Sequence, residues 1–453
     1  MADFKLKKGY NIRLVGESTT EIADAPYPKT IAVKPSTFRG IKPKLLVKEG
    51  DEVKSGSPLF CSKGDENHIF TSPVCGVITS IQRGAKRVID HIIIEVKANA
   101  EGIKFKSYSK DQLASLSRDE VMKQLQSSGL LSMFRQRPFD YVANPATTPR
   151  DIFVSGMDSA PLAPDLNNFV KGNETEFQAG LDIASRLTTG RVHLSIDANR
   201  SNNSKAFTDA KNVTVHKFSG KHPVGCVGVQ IHHIAPINGR VDVVWYATVS
   251  GLFILGRLFL QGKISPEITV AVTGSAATDR RYFRTILGAN IETFVKKNVQ
   301  NDPVRYISGN VLTGTKVNKD GFLGYHDSMV TIVPESTGPE LIGWMLPGFK
   351  KESLYRTFLS PFIPGQKFVK DTKLNGCLRA FFASGFYQRV VPMNIYPIFL
   401  VKSILAGDIE EMEGLGIYEV TEEEMALCEY ICPSKENIQQ IIRRGLDLIE
   451  REG

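Results

Sequence analysis

The sequence is poor in cysteine for its length, with six in 453 residues: Cys61, Cys75, Cys226, Cys377, Cys428 and Cys432. Thiols so scattered make no disulfide framework, and a chain without an export signal meets reducing cytosol, so they are expected to stay reduced. An export signal is missing too: "MADFKLKKGYNIRLVGE" has neither an apolar core nor a small-residue cleavage site, and the mature chain is expected to begin near Met1. Long apolar runs are also lacking. The longest uncharged one, "VVWYATVSGLFILG" from Val243 to Gly256, falls short of the roughly 20 residues that cross a bilayer, which predicts a soluble chain.

Other absences narrow the function. Blocks of lysine and aromatic-basic modules are missing, so nucleic acid is not an expected partner. The formal net charge of +8 suits an anionic membrane surface or an acidic partner instead. No repeat or low-complexity linker divides the chain. No P-loop, H-E-x-x-H or Ser/His/Asp pattern is present. What is present is ordinary folded composition, 42% hydrophobic and 23% charged, over a length that suits about three domains.

Ile41 to Val96 alternates short β-branched runs with turn signals such as Gly50-Asp51 and Lys63-Gly64-Asp65, the pattern of a compact all-β unit. Its "V-x-x-G-D-x-V-x-x-G-x-x-L" (Val47 to Leu59) and "S-P-x-x-G-x-V" (Ser72 to Val77) resemble a biotinyl/lipoyl-type barrel-sandwich hybrid. Where carriers of that fold modify a hairpin lysine, Asp65 stands here, with Lys63 two residues away. An acid cannot form the amide link, so the domain is expected to be a scaffold. After Glu101 helix-length segments alternate with strands: "SKDQLASLSRDEVMKQLQSSGL" ends in Gly129 as a C-cap, "TEFQAGLDIASRLTTG" reads as a helix, "RVHLSI" and "NVTVHKF" as strands. This predicts an α/β layer with a parallel sheet. Leu258 to Pro334 reads as β-rich, and the chain closes in amphipathic helices, the last from about Ser434. The expected architecture is α/β multidomain, divided at 1–100 (N-terminal extension and barrel-sandwich hybrid), 101–257 (α/β, Rossmann-like), 258–335 (small β-grasp-like, SLBB-type) and 336–453 (mainly helical).

"LLSMFRQRPFDYVANPATTPRDIFVSGMDSAPLAPD", "GKHPVGCVGVQIHHIAPINGRVDVVWY", "ISGNVLTG", "VVPMNIYPIFLVKSILAGD" and "EEEMALCEYICPSK", in that order, resemble the NqrA family, whose members belong to the bacterial Na⁺-translocating NADH:quinone oxidoreductase, Nqr. The resemblance spans essentially the whole chain. It relates the chain to the C subunit of Rnf complexes and to the flavin-carrying subunit of respiratory complex I, which carry a glycine-rich nucleotide loop, a ferredoxin-like cysteine set, or both.

Against those relatives the sequence reads as emptied. Backbone N–H groups grip phosphate only where glycines allow close approach. "SSGLLSMFRQRPFD" offers a single Gly129 followed by bulky residues, and Gly225-x-x-Gly228 lacks a third glycine, so a tight turn into a strand "GVQIHHI" is expected there. In "EEEMALCEYICPSK", Cys428 and Cys432-Pro433 keep the spacing of a C-x2-C-x2-C-x3-C-P cluster motif, while Met425 and Glu422 stand where its other cysteines belong and Cys377 lies far upstream. A remnant kept as a helical corner is expected, with no metal bound. His232 and His233 would face opposite sides of the expected strand and so could not share an ion. His222-Pro223 could sit at a site mouth but lacks a Cys or carboxylate beside it in sequence.

The resemblance implies a peripheral subunit on the cytoplasmic face of the bacterial inner membrane, without FMN or Fe–S, in a complex that couples NADH oxidation and ubiquinone or menaquinone reduction to Na⁺ export. Its partners would be the other Nqr subunits, above all the membrane-embedded NqrB, and quinone. It would be part of a translocase, with no catalytic residue of its own. "VVWYATVSGLFILGRLFLQG" and "FFASGFYQRVVPMNIYPIFLV" suit the walls of a quinone pocket, and equally a protein core. A purely structural role in assembly is the alternative; an Rnf-like electron carrier is disfavoured by the cysteine count.

Overall fold

Short strands rich in Ile, Val and Phe form the first unit. Thr30–Val33, Ile89–Val96, Gly76–Arg83 and Glu52–Val53 make one antiparallel sheet, and Pro43–Leu45, Pro58–Ser62 and Ile69–Thr71 another. Alternate residues point inward, so Leu59, Ile78, Ile92 and Ile94 are buried between the two sheets, with Phe60 stacked on Phe70 at 4.7 Å. Burying each such side chain contributes about 1.5–3 kcal/mol. Asp65 accepts from the Asn67 N–H at 3.0 Å and closes the turn at which a carrier would present its lysine. This is the expected barrel-sandwich hybrid. The structure is a computed structural model and describes residues 2–453 apart from 99, 297, 300–302, 337, 339–344, 346, 355–357 and 383–384.

The second unit is built on a seven-stranded sheet ordered Asp3–Lys5, Thr214–Ser219, Val192–Asp197, Ile152–Ser155, Val244–Ala247, Phe134–Arg137, Tyr141–Val142. The first five run parallel, and the last two are antiparallel additions. The chain builds outward from Ile152–Ser155 on one side and then returns to its other side, which creates a switch point between Ile152–Ser155 and Val244–Ala247. Helices Glu174–Leu187 and Val249–Gln261 cross with backbones in contact. A Cβ at Gly180 would overlap the Leu252 carbonyl, and one at Gly256 the Glu176 carbonyl. "VVWYATVSGLFILGRLFLQG" is thus mostly core: Val244, Trp245, Leu252, Phe253 and Leu258 are buried.

Three local expectations are corrected. "VGVQIHHI" is a helix, Val227–Ile234, and not a strand. It lies on the crossover between the parallel strands Thr214–Ser219 and Val244–Ala247, a connection that takes a helix, and so short an apolar run does not report its own period. The segment before Gly129 is two helices, Lys110–Leu113 and Arg118–Ser128, because Ser117 and Glu120 form a capping box that starts a new one. Gly129 is the left-handed C-cap expected, at φ 72°. The last helix begins at Ile438, four residues later than read.

The third sheet is ordered Thr315–Val317, Val304–Ser308, Met329–Pro334, Glu267–Thr273, Tyr282–Ile286, Ile22–Asp24. The N-terminal extension therefore stitches units together, since Asp3–Lys5 joins the second sheet and Ile22–Asp24 the third. Helix Val249–Gln261 runs through the 257/258 position at which the sequence divides the second and third units. Helices Pro397–Ala406, Glu422–Ile431 and Ile438–Glu452 form the C-terminal unit. Of "FFASGFYQRVVPMNIYPIFLV", residues 383–384 lie outside the described residues. The rest includes Tyr387–Val390 and the start of Pro397–Ala406, with Tyr387, Val390, Leu400 and Val401 buried.

Candidate functional site

A cavity of about 640 Å³ opens at the switch point. Ser155, Met157 and Asp158 line it from the end of one central strand, and Tyr246, Ala247 and the start of helix Val249–Gln261 from the other. The third unit closes it with Tyr325, His326 and Asp327, and the C-terminal unit with Glu422, Glu423 and Arg443. Open α/β sheets bind ligands at this crevice. One wall is apolar: Met133, Met157, Leu166, Phe169, Val249 and Ile254.

The opposite wall is an ionic lattice. Asp140 accepts from the Tyr246 hydroxyl and from Arg135, and Arg39 reaches it at 3.4 Å. Burial would raise the Asp140 carboxyl, but the guanidinium groups of Arg135, Arg137 and Arg39 outweigh it and hold the group at about 2. Phe139 and Asp140 both have left-handed backbones, at φ 76° and 59°. For a bulky Phe this is a strained conformation, kept because Asp140 is tethered on three sides. Tyr325 and His326 are half-buried here as well. Desolvation pushes the Tyr325 hydroxyl up to about 12 and the His326 imidazole down to about 3.

Of the two glycines singled out in the sequence, Gly228 meets the C-terminal unit. The N–H of Gly228, in the first turn of helix Val227–Ile234, donates to Glu424 Oε1 at 3.1 Å. Arg137 grips the same carboxylate as a fork, Nη2 to Oε1 at 3.1 Å and Nη1 to Oε2 at 3.2 Å. The N–H and hydroxyl of Thr421 donate to Oε2 at 2.9 and 2.8 Å. A helix N-terminus with an arginine beside it is a seat for an anion. Here the protein's own carboxylate sits in it, and a Cβ at Gly228 would overlap that carboxylate. Gly225 is closed as well: a Cβ would stand 2.5 Å from the Ser159 nitrogen. Gly129 packs on Thr71 of the barrel-sandwich unit, and Leu130–Met133 behind it is a buried 3-10 turn. None of these glycines fits a flavin or nucleotide phosphate.

The cysteine segment does not fit a cluster either. Cys428 and Cys432 are fully buried around the end of helix Glu422–Ile431. Desolvation, and then the neighbouring Cys432, pushes the Cys428 thiol up, away from the thiolate that ligates iron. Met425 is buried, and Glu422 is held by Arg443 at 2.7 and 2.9 Å and by Arg39 at 2.8 Å. Among the described residues no three His, Cys, Asp or Glu converge to hold a metal ion.

Next to the filled seat, Glu423 opens onto the cavity with protein packed around it. Desolvation and the negative Glu424 raise its carboxyl, against the pull of Arg137. The histidines are engaged elsewhere. His232 Nδ1 lies 2.6 Å from Glu419 and its Nε2 accepts from the Asn394 N–H at 3.0 Å, while His233 Nε2 bonds the Pro392 carbonyl at 2.7 Å. They pin one helix to the C-terminal unit. His222 is buried and not at a site mouth, its Nδ1 3.1 Å from the Ser159 hydroxyl. Sequence reasoning missed Arg137, Glu424 and Asp140; the legible signal was the T-x-x-E capping box of Thr421 and Glu424.

Fold and site together define a multidomain protein with an α/β layer in which the N-terminus of helix Val227–Ile234 is occupied by the chain's own Glu424. Family models match residues 4–97 (NqrA N-terminal barrel-sandwich hybrid domain), 116–264 (NqrA second alpha/beta domain) and 269–319 (NQRA C-terminal domain). The NqrA protein of the Na(+)-translocating NADH-quinone reductase of Vibrio atlanticus is 36% identical and that of Pasteurella multocida 37%, each over 99% of both chains. That of Neisseria meningitidis serogroup B is 36% identical over 99% of this chain and all of its own. A crystal structure of an NAD+-reducing [NiFe]-hydrogenase is a distant likeness, covering 74% of this chain and 61% of that one at 10% identity and a TM-score of 0.38. The chain belongs to the NqrA family of Na(+)-translocating NADH-quinone reductase subunits.

Proposed function

We propose that this chain serves its complex without a redox group of its own, at the cytoplasmic face of the membrane, by docking on the membrane-embedded NqrB and contributing to quinone binding. The observation that carries this is the pairing of a filled anion seat with an open cavity. Glu424 takes up the Gly228 N–H and the Arg137 fork, so these donors are not free for a flavin phosphate or pyrophosphate. The space beside them is lined by apolar Met133, Leu166, Phe169 and Ile254 together with the charged groups around Asp140, a lining that offers a quinone ring apolar contact and its carbonyls hydrogen-bond donors. No helix among the described residues is long and apolar enough to cross a membrane, which is consistent with a peripheral role.

Photo-crosslinking of the assembled complex with an azido-quinone tests this reading. Label on cavity residues such as Met157 or Ile254, displaced by excess quinone, supports it. Label confined to the other subunits contradicts it.

A further inference from the structure

Seventeen large apolar side chains are exposed among the described residues, and nine of them fall between Met345 and Phe382. The same stretch carries the charge. Residues 345–382 hold seven Lys and Arg against two acids, a net +5. Apolar exposure and positive charge therefore coincide on a small part of the chain.

Geometry gathers this part into a surface. The Leu359 N–H bonds the Pro347 carbonyl at 3.0 Å and Gln366 Nε2 the Phe349 carbonyl at 2.8 Å, which brings Leu359 and Gln366 beside Pro347 and Phe349. Phe349 and Phe362 stay 53% and 72% exposed there. The contact is anchored from below: Phe368 pairs with Arg13 and Val15, and Glu352 binds Tyr10 at 2.8 Å, Tyr430 at 3.1 Å and Lys370 at 2.8 Å. Further on, the Ser434 hydroxyl bonds the Ala380 carbonyl at 3.1 Å. Leu378 and Arg379 remain exposed beside it.

Lysine is depleted from the cores of protein interfaces, whereas basic residues among exposed Phe and Leu are the composition of surfaces that rest in a bilayer's headgroup region. We propose that the described residues between 345 and 382 form a lipid-facing surface that seats on an anionic phospholipid bilayer, with Phe349, Phe362 and Leu378 at headgroup depth and Lys350 and Arg379 on the phosphates. Long basic side chains cover apolar surface while their heads stay in the polar layer. This deepens the peripheral reading above and rests on it, yet its vesicle test needs no quinone.

The test is co-sedimentation of the full-length chain with vesicles of phosphatidylcholine, alone or with phosphatidylglycerol. Binding is expected to rise with the phosphatidylglycerol fraction and to weaken with salt. Lys350→Gln and Arg379→Gln should each weaken it about fivefold, and Phe362→Ser about tenfold, with unchanged melting temperatures because all three side chains are exposed. Equal binding to neutral vesicles, no binding to anionic ones, or indifference to these substitutions overturns the proposal. So does a chain that ignores vesicles while the same variants lose NqrB, which makes the surface a protein contact. Quinone labelling of the cavity would stand in either case.

Discussion

Arg137 and Glu424 lie 287 residues apart in sequence and meet as a buried fork, 1% and 0% exposed, that closes the N-terminus of helix Val227–Ile234. Breaking such a pair strands one buried charge. Arg137→Met or Glu424→Ala alone should destabilise the protein by about 3–5 kcal/mol, whereas Arg137→Met with Glu424→Leu should recover most of that loss. Urea denaturation of the three variants measures it. With the seat emptied, sulfate should raise the melting temperature of Glu424→Ala more than that of the parent.

Glu423 gives a pH dependence of unusual sign. Its side chain is exposed to the cavity, yet the protein packed around that cavity desolvates it and the negative Glu424 lies beside it, so its folded carboxyl titrates above the ordinary 4.5. Holding it ionised therefore costs stability that grows as pH rises past about 4.5. Glu423→Gln should melt higher than the parent at pH 7.5, with the gain vanishing near pH 4. Melting curves across that range check it.

His222 works in the opposite direction. Burial lowers its folded imidazole from 6.5 to about 4, against weaker opposing contributions from Ser159 and Glu424. The unfolded chain takes the proton first, so this contribution is intact above pH 6.5 and drains as pH falls toward 4, by up to about 1.4 kcal/mol per pH unit. His222→Gln should flatten that limb of the stability profile by one proton, measured by urea melts between pH 4.5 and 7.

The two glycines at the helix crossing make a packing prediction. A methyl group at Gly256 runs into the Glu176 carbonyl, which is backbone and cannot swing away. Gly256→Ala should cost about 1–3 kcal/mol and widen the crossing. Gly407, with no atom within 4 Å of the position a Cβ would take, is no control because its φ is 76°; Gly414, equally open and without positive φ, is. Gly414→Ala should leave the melting temperature nearly unchanged.

The sequence was most legible where periodicity and turn chemistry act locally. The alternation in Ile41 to Val96 announced the barrel-sandwich unit, "RVHLSI" and "NVTVHKF" were strands, and Gly129 was a C-cap. It was least legible where a long-range neighbour decides. "VGVQIHHI" became a helix because of the strands on either side of it, and the Gly228 N–H is taken by Glu424, which arrives from another domain. The anion seat itself joins Arg137, Gly228 and Glu424, which no local pattern links. Met425 and Glu422, by contrast, showed in the sequence itself that the four-cysteine spacing is broken, because that needs only residue types and no long-range neighbour.

The most direct measurement is the visible absorption spectrum of the anaerobically purified chain, with its iron and flavin content. A seat filled by Glu424 and thiols raised by burial predict a featureless spectrum and no stoichiometric iron or flavin. A flavin or iron–sulfur band at one equivalent would contradict the account, because the chain would then carry electrons itself.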